Sequence, residues 1–105
     1  MNTITPEEVM KSHGFNLDEI YEQVNNYLLN STVDENNHLR REIIISTLFD
    51  YNNEKFENVV VGLIKRDYGK TWRVEESKAT VFDYRNEVYE TPCLVFTSKK
   101  DVFGG

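Results

Sequence analysis

Gly69-Lys70-Thr71 has the residue types that close a phosphate-binding loop, in which consecutive backbone N–H groups and a helix N-terminus cradle an anion. That chemistry needs Gly, four residues and then Gly-Lys-Ser/Thr, set between a strand and a helix. The glycine before Gly69 is Gly62, with six residues between, and "WRVEES" after Thr71 reads as a strand. Spacing and context both fail. The tripeptide is predicted to be a hairpin turn, with Gly69 supplying a positive backbone angle.

Other reactive residue types are similarly uncommitted. His38, Arg40, Arg41 and Glu42 together hold the acid, base and phosphate clamp that RNA cleavage uses, but a charged loop-to-strand junction accounts for them as well. His13 stands beside Gly14, where a cation complements a helix C-terminus. Neither histidine has Cys, Asp or Glu at metal-ligand spacing. Cys93 lies in "TPCLVF", an apolar strand that suits a small buried side chain better than an activated thiolate. Glu75 and Glu76 are adjacent on a predicted strand and so point to opposite faces, and Glu87 with Glu90 gives a weak signal of the same kind. No catalytic residue, metal or cofactor is implied.

Composition narrows the classes. A chain of 105 residues with 39% hydrophobic and 29% charged residues is expected to form a single α+β domain over 1–105, soluble rather than disordered. No window approaches eighteen consecutive apolar residues, so no membrane span is expected. The opening "MNTITPEEVMKSHG" lacks a basic and then an apolar region, so no secretory signal is expected. The single cysteine rules out an internal disulfide and points to a reducing, cytoplasmic setting. Net charge is −6, and residues 1–40 carry seven acids against two bases, whereas 41–105 carry eleven acids and ten bases. The acidic front repels phosphate backbones, so direct nucleic-acid binding is not expected; a partner with a basic surface is.

The elements that position these groups follow from caps and periodicity. Thr5, Pro6 and Glu8 predict a first helix ending at Gly14. Asn16 and Glu19 start a second near 17–30, with Leu17, Ile20, Tyr21, Val24, Tyr27 and Leu28 on one face. "NSTVDENN" reads as a loop. "REIIISTLFDY" reads as a strand because three consecutive isoleucines crowd a helix, although 39–49 keeps helical spacing as an alternative. "FENVVVGLIKR" is read as a second strand, 71–84 as one long strand broken or bulged near Ser77-Lys78, and "VYETPCLVFTS" as the last. Pro92 places that last strand at an edge or a bulge. The expected architecture is two N-terminal helices (1–30) packed on one face of a four-stranded antiparallel meander sheet (41–98), with a tail at 99–105. The terminal "VFGG" resembles the Gly-Gly ending of ubiquitin-like modifiers. Those folds place a hairpin before the main helix, however, and here the helices come first, so a frayed end is expected.

The functional expectation rests on charge and aromatics. Tyr51, Tyr68, Trp72, Tyr84 and Tyr89 are interleaved with Asp83, Glu87 and other acids; Asp18, Glu22, Asn25 and Asn26 fall on the outer face of the second helix, whose acids Asp18, Glu19 and Glu22 are candidate contacts. Tyr and Trp give rigid contact area, and flanking acids favour a basic partner. Eleven asparagines give the chain a composition like that of AT-rich phage genes. Together these suggest a small acidic protein-binding inhibitor or regulator of a phage or mobile element. It would act in the host cytoplasm, mimicking nucleic acid against a host or defence protein. The alternatives are a small-molecule-binding or minor enzymatic domain with a pocket between sheet and helices, and a self-assembling protein that dimerises through an edge strand.

Overall fold

The computed structural model of the chain describes residues 3–99; the Val102-Phe103-Gly104-Gly105 ending lies outside the described residues. The first two helices form where their caps place them. In α1 (Pro6–Ser12) the Thr5 hydroxyl accepts from the Glu8 N–H at 3.2 Å, and Pro6 occupies the first turn. Gly14 then takes a φ of 82°, a left-handed conformation that glycine adopts without a Cβ penalty. In α2 (Leu17–Leu29) the Asn16 side chain accepts from the Asp18 N–H at 3.0 Å, and Ile20 and Val24 are buried.

The chain then forms β1 (Thr32–Val33), β2 (Leu39–Ile44), 3-10 turns at Ile45–Leu48 and Glu54–Phe56, α3 (Glu57–Tyr68), β3 (Trp72–Phe82) and β4 (Val88–Ser98). The fold is α+β with a four-stranded antiparallel sheet, and two helices precede the sheet. Its strand order is β1-β2-β4-β3 rather than that of a sequential meander, because α3 intervenes between β2 and β3 and β4 returns between them.

Four sequence expectations are corrected here. "FENVVVGLIKR" is not a strand: it forms α3, which buries Val60, Val61, Leu63 and Ile64. Positions 60, 61, 64 and 68 share one helical face, and burying that face outweighs the strand preference of the valines. Gly69 consequently ends a helix with a φ of −62° instead of turning a hairpin. A Cβ there would run into the Lys65 carbonyl oxygen. Gly69-Lys70-Thr71 therefore follows a helix and precedes a strand, the reverse of phosphate-loop order. The strand expected over 41–51 stops at Ile44, where a 3-10 turn lets Ile45 and Leu48 both reach the core, and Thr47 Oγ1 donates to the Ile44 carbonyl at 2.6 Å. "NSTVDENN" is not wholly loop: Thr32–Val33 pairs with Leu39–Arg40 through a turn in which Asn37 has a φ of 64°.

β3 is one long strand, but its register runs unbroken through Ser77↔Cys93 and Lys78↔Pro92, so the expected bulge is not formed. None is needed. β2 reaches only to Ile44 opposite Cys93, so among the described residues β4 has β3 alone as neighbour from Pro92 to Val88, and Pro92 meets no ladder on its other side.

The core lies between the helices and the sheet face carrying Ile43, Leu94 and Phe96, with Met10, Phe15, Ile20, Val24, Ile45, Leu48 and the apolar face of α3 filling it. The outer halves of β3 and β4 extend past this core as a two-stranded arm. The radius of gyration is accordingly 15.6 Å, against about 13 Å for a compact chain of this length. Among the described residues no helix is long and apolar enough to cross a membrane.

Candidate functional site

A groove of about 550 Å³, open to solvent, runs between α2 and the end of α3, lined by Tyr21, Asn25, Leu28, Leu29, Asp67, Tyr68, Thr71 and Trp72. Helical spacing sets its α2 wall: Tyr21, Asn25, Leu28 and Leu29 recur at intervals that return to one side. The opposite wall exists because α3 ends at Tyr68 and the chain turns at once into β3, which brings Trp72 beside Tyr68.

The groove is stitched together by its own polar groups. Tyr21 Oη donates to Asp67 Oδ2 at 2.6 Å, and Tyr68 Oη donates to Asn25 Oδ1 at 2.7 Å with the Tyr21 carbonyl oxygen at 3.1 Å. The Tyr21 and Tyr68 rings meet edge to face at 5.3 Å. Behind them Phe96 receives Tyr68 at 5.7 Å and Trp72 at 6.3 Å, both edge-on. Arg66 Nε bonds Asp67 Oδ1 at 2.8 Å, and its Nη2 reaches Glu7 Oε1 at 2.7 Å, tying α1 to the same corner.

These contacts shift the titration of the groove's groups. The Arg66 guanidinium, and then the Tyr21 hydroxyl, hold the Asp67 carboxyl below the usual carboxylate range. Burial, and then the bond to Asp67, push the Tyr21 phenol upward, and burial does the same for Tyr68. A depressed carboxylate is a weak base and a raised phenol a weak acid near neutral pH. The pair is suited to holding aromatic walls in place rather than to moving protons.

The sequence-predicted site residues separate into three places. Tyr68 and Trp72 line the groove. Asp18 and Glu22 are exposed on α2, and the spacing Asp18, Glu22, Asn25, Leu29 puts them on one stripe along its rim. Glu19 faces elsewhere, into a second cleft with Asn16, Thr47, Asp50 and Asn53. Tyr51 is exposed in the loop just after Asp50. Asp83, Tyr84, Glu87 and Tyr89 sit at the far end of the β3–β4 arm, where Asp83 Oδ1 shapes the turn by accepting from the N–H groups of Arg85 at 2.8 Å and Glu87 at 2.9 Å. The structure therefore does not bring these residues together on one surface. Tyr21, Asn25 and Asp67 were missed as groove residues; the signal was the helical spacing of 60, 61, 64 and 68, which places Asp67 and Tyr68 together at a helix end.

The remaining candidates also resolve. Strand alternation splits the His38–Glu42 cluster: Arg41 turns to the helix side, 5.3 Å over the Tyr27 ring, while Arg40 pairs with Glu42 at 3.5 Å on the other face. His38 Nδ1 lies 2.6 Å from the Ser98 carbonyl oxygen. Glu75 and Glu76 take opposite faces, and Glu76 meets Lys65 at 3.2 Å. Cys93 is buried, and burial followed by the nearby Glu42 carboxylate raises its thiol pKa. Among the described residues no group of three or more His, Cys, Asp or Glu side chains is placed to hold a metal ion. No protein-family model, curated protein or solved structure matches this chain.

Proposed function

We propose that the protein works by binding rather than by catalysis, as a small acidic inhibitor or regulator whose α2–α3 groove receives a basic segment of a protein partner. The observation that carries this is the composition of the groove: aromatic walls fixed by their own hydrogen bonds, Leu29 82% exposed at the mouth, and Asp18 and Glu22 along the rim. An Arg or Lys side chain gains from stacking on Tyr or Trp and from nearby carboxylates, while its aliphatic stem covers exposed leucine. The asparagine-rich, acidic composition suits a phage or mobile-element protein in the host cytoplasm, its target a host or defence protein with a nucleic-acid-binding surface.

Affinity capture from a host lysate, followed by binding measurements on the partner identified, tests this. Asp18→Asn with Glu22→Gln, or Trp72→Ala, should weaken binding about tenfold or more, and added salt should weaken the unmodified protein too. Glu19→Gln should leave binding unchanged, because Glu19 faces a different cleft. Binding insensitive to all of these substitutions would overturn the assignment to this groove.

A further inference from the structure

β3 is the sheet's edge along its whole length. In the order β1-β2-β4-β3 it has β4 on one side and, among the described residues, no strand on the other. Edge strands of soluble proteins are ordinarily blunted by proline, bulges or shortness. β3 lacks these three: it is eleven residues long, without proline, and in unbroken register. The opposite edge of the arm carries Pro92. What guards β3 is charge, at Arg73, Glu75, Glu76 and Lys78, and charge of both signs repels some registers while favouring others.

Reversed about its centre, the β3 sequence "WRVEESKATVF" sets Glu76 against Lys78 and Trp72 against Phe82. We propose that β3 pairs with β3 of a second copy of this chain, antiparallel and about a two-fold axis at Ser77, joining the two sheets into one of eight strands. In that register Glu76 of each copy lies directly opposite Lys78 of the other, and Trp72 lies opposite Phe82. Arg73 meets Val81, Val74 meets Thr80, and Glu75 meets Ala79. Directly opposite residues share a sheet face, where opposite charges and aromatic pairs stabilise the ladder. A two-fold at Glu76 would instead set glutamate against glutamate, and one at Lys78 would set lysine against lysine. Charge selects the Ser77-centred register over both neighbours.

The same pairing gives the arm an occupant for its apolar end. Phe82 is 68% exposed at its far end. At the root of β3, on the same sheet face, Lys65, Gly69, Trp72, Arg73, Val74 and Lys99 surround an open cleft of about 480 Å³. The two-fold delivers Phe82 of each copy to the Trp72 side of that cleft in the other. The helices cover the root of β3 and leave its outer half bare. Each copy's arm therefore lies beside the partner's covered half, and the helices stay apart.

Sedimentation equilibrium across a concentration series, on the full chain, decides it. The unmodified protein should show a reversible monomer–dimer equilibrium. Lys78→Glu and Glu76→Lys should each weaken the dimer about tenfold or more, by setting like charges opposite one another twice per dimer. The double variant Glu76→Lys/Lys78→Glu restores opposite charges and should recover the dimer. Circular dichroism and thermal melts of the variants confirm that the fold is retained. A strict monomer at every concentration, or a double variant no better paired than the singles, would overturn the proposal. Trp72 serves both this pairing and the α2–α3 groove, but neither Glu76 nor Lys78 lines that groove, so the charge-swap variants test the dimer separately and either reading can fail without the other.

Discussion

Tyr21 of α2 donates a 2.6 Å hydrogen bond to Asp67 at the end of α3, and this contact closes one end of the α2–α3 groove. The carboxylate also accepts from Arg66, and the phenol is half-buried. A hydrogen bond to a charged acceptor contributes about 1.5–3 kcal/mol, and less where solvent reaches the pair. Tyr21→Phe should therefore lower the unfolding free energy by about 1 kcal/mol. Asp67→Asn should lower it similarly, and the two together by less than their sum. Urea denaturation of the four-protein cycle measures the coupling; strict additivity would show that the bond contributes nothing.

The same carboxylate sets an acid dependence. Its folded pKa lies below the unfolded value of about 3.9, held there by Arg66 and then Tyr21. A depressed carboxyl adds stability above the unfolded pKa and loses it as pH falls through the folded value. Glu7 is lowered by the same arginine and acts in the same sense. Stability should fall below about pH 4, and Asp67→Asn should lose less on acidification than the unmodified chain. Denaturation curves at neutral and acid pH check the difference.

On the alkaline side the sign reverses. Tyr21 and Tyr68 have raised pKa values, by burial first and, for Tyr21, by Asp67 next. Both stay protonated where the unfolded chain's tyrosines, near about pH 10, ionise. Their contribution is present below that pH and is lost as pH climbs through the folded values. Tyrosinate absorbance should show a late-titrating component that shrinks in Tyr21→Phe. If that variant titrates like the unmodified protein, the phenol is not held as described.

The sequence made some elements legible and hid others for physical reasons. Caps are local, so Thr5, Asn16 and Gly14 marked the helix ends directly. The β3–β4 hairpin was legible because its turn and its two strands are contiguous in the chain. α3 was hidden because Val59, Val60 and Val61 favour extended backbone, and only the core that Val60 and Val61 fill, built from residues far away in the chain, tips the segment to helix. The groove was lost with it. Asp67 and Tyr68 read as turn residues until α3 placed them opposite Tyr21, more than forty positions earlier. Helical spacing already puts Asp18 and Glu22 on one stripe and Glu19 off it, but which cleft each borders depends on what packs against each side of α2.

Gly62, in the middle of α3, and Gly69, just past its end, should respond oppositely to a methyl group. Gly62 is exposed within α3, and a Cβ built there meets nothing within 4 Å. Gly62→Ala should stabilise the protein by about 0.5–1 kcal/mol through helix propensity alone. At Gly69 the Lys65 carbonyl oxygen occupies the space, so Gly69→Ala should destabilise by about 1–3 kcal/mol. Thermal melts of the two variants should shift in opposite directions; a shared direction would contradict the placement of the helix end.

Phe82 and Phe96 lie on the same face of adjacent strands, since Val74 pairs with Phe96 and positions 74 and 82 share a side of β3. Their surroundings differ completely: Phe96 is fully buried against Tyr68 and Trp72, whereas Phe82 stands on the arm beyond the core. Removing a buried ring leaves a cavity, so Phe96→Ala should cost about 3–5 kcal/mol of stability. Phe82→Ala removes a ring that is still mostly in water and should change the monomer's stability by no more than about 0.5 kcal/mol. Urea denaturation at high dilution compares them. A large loss from Phe82→Ala under those conditions would mean that the arm folds back onto the core instead of projecting from it.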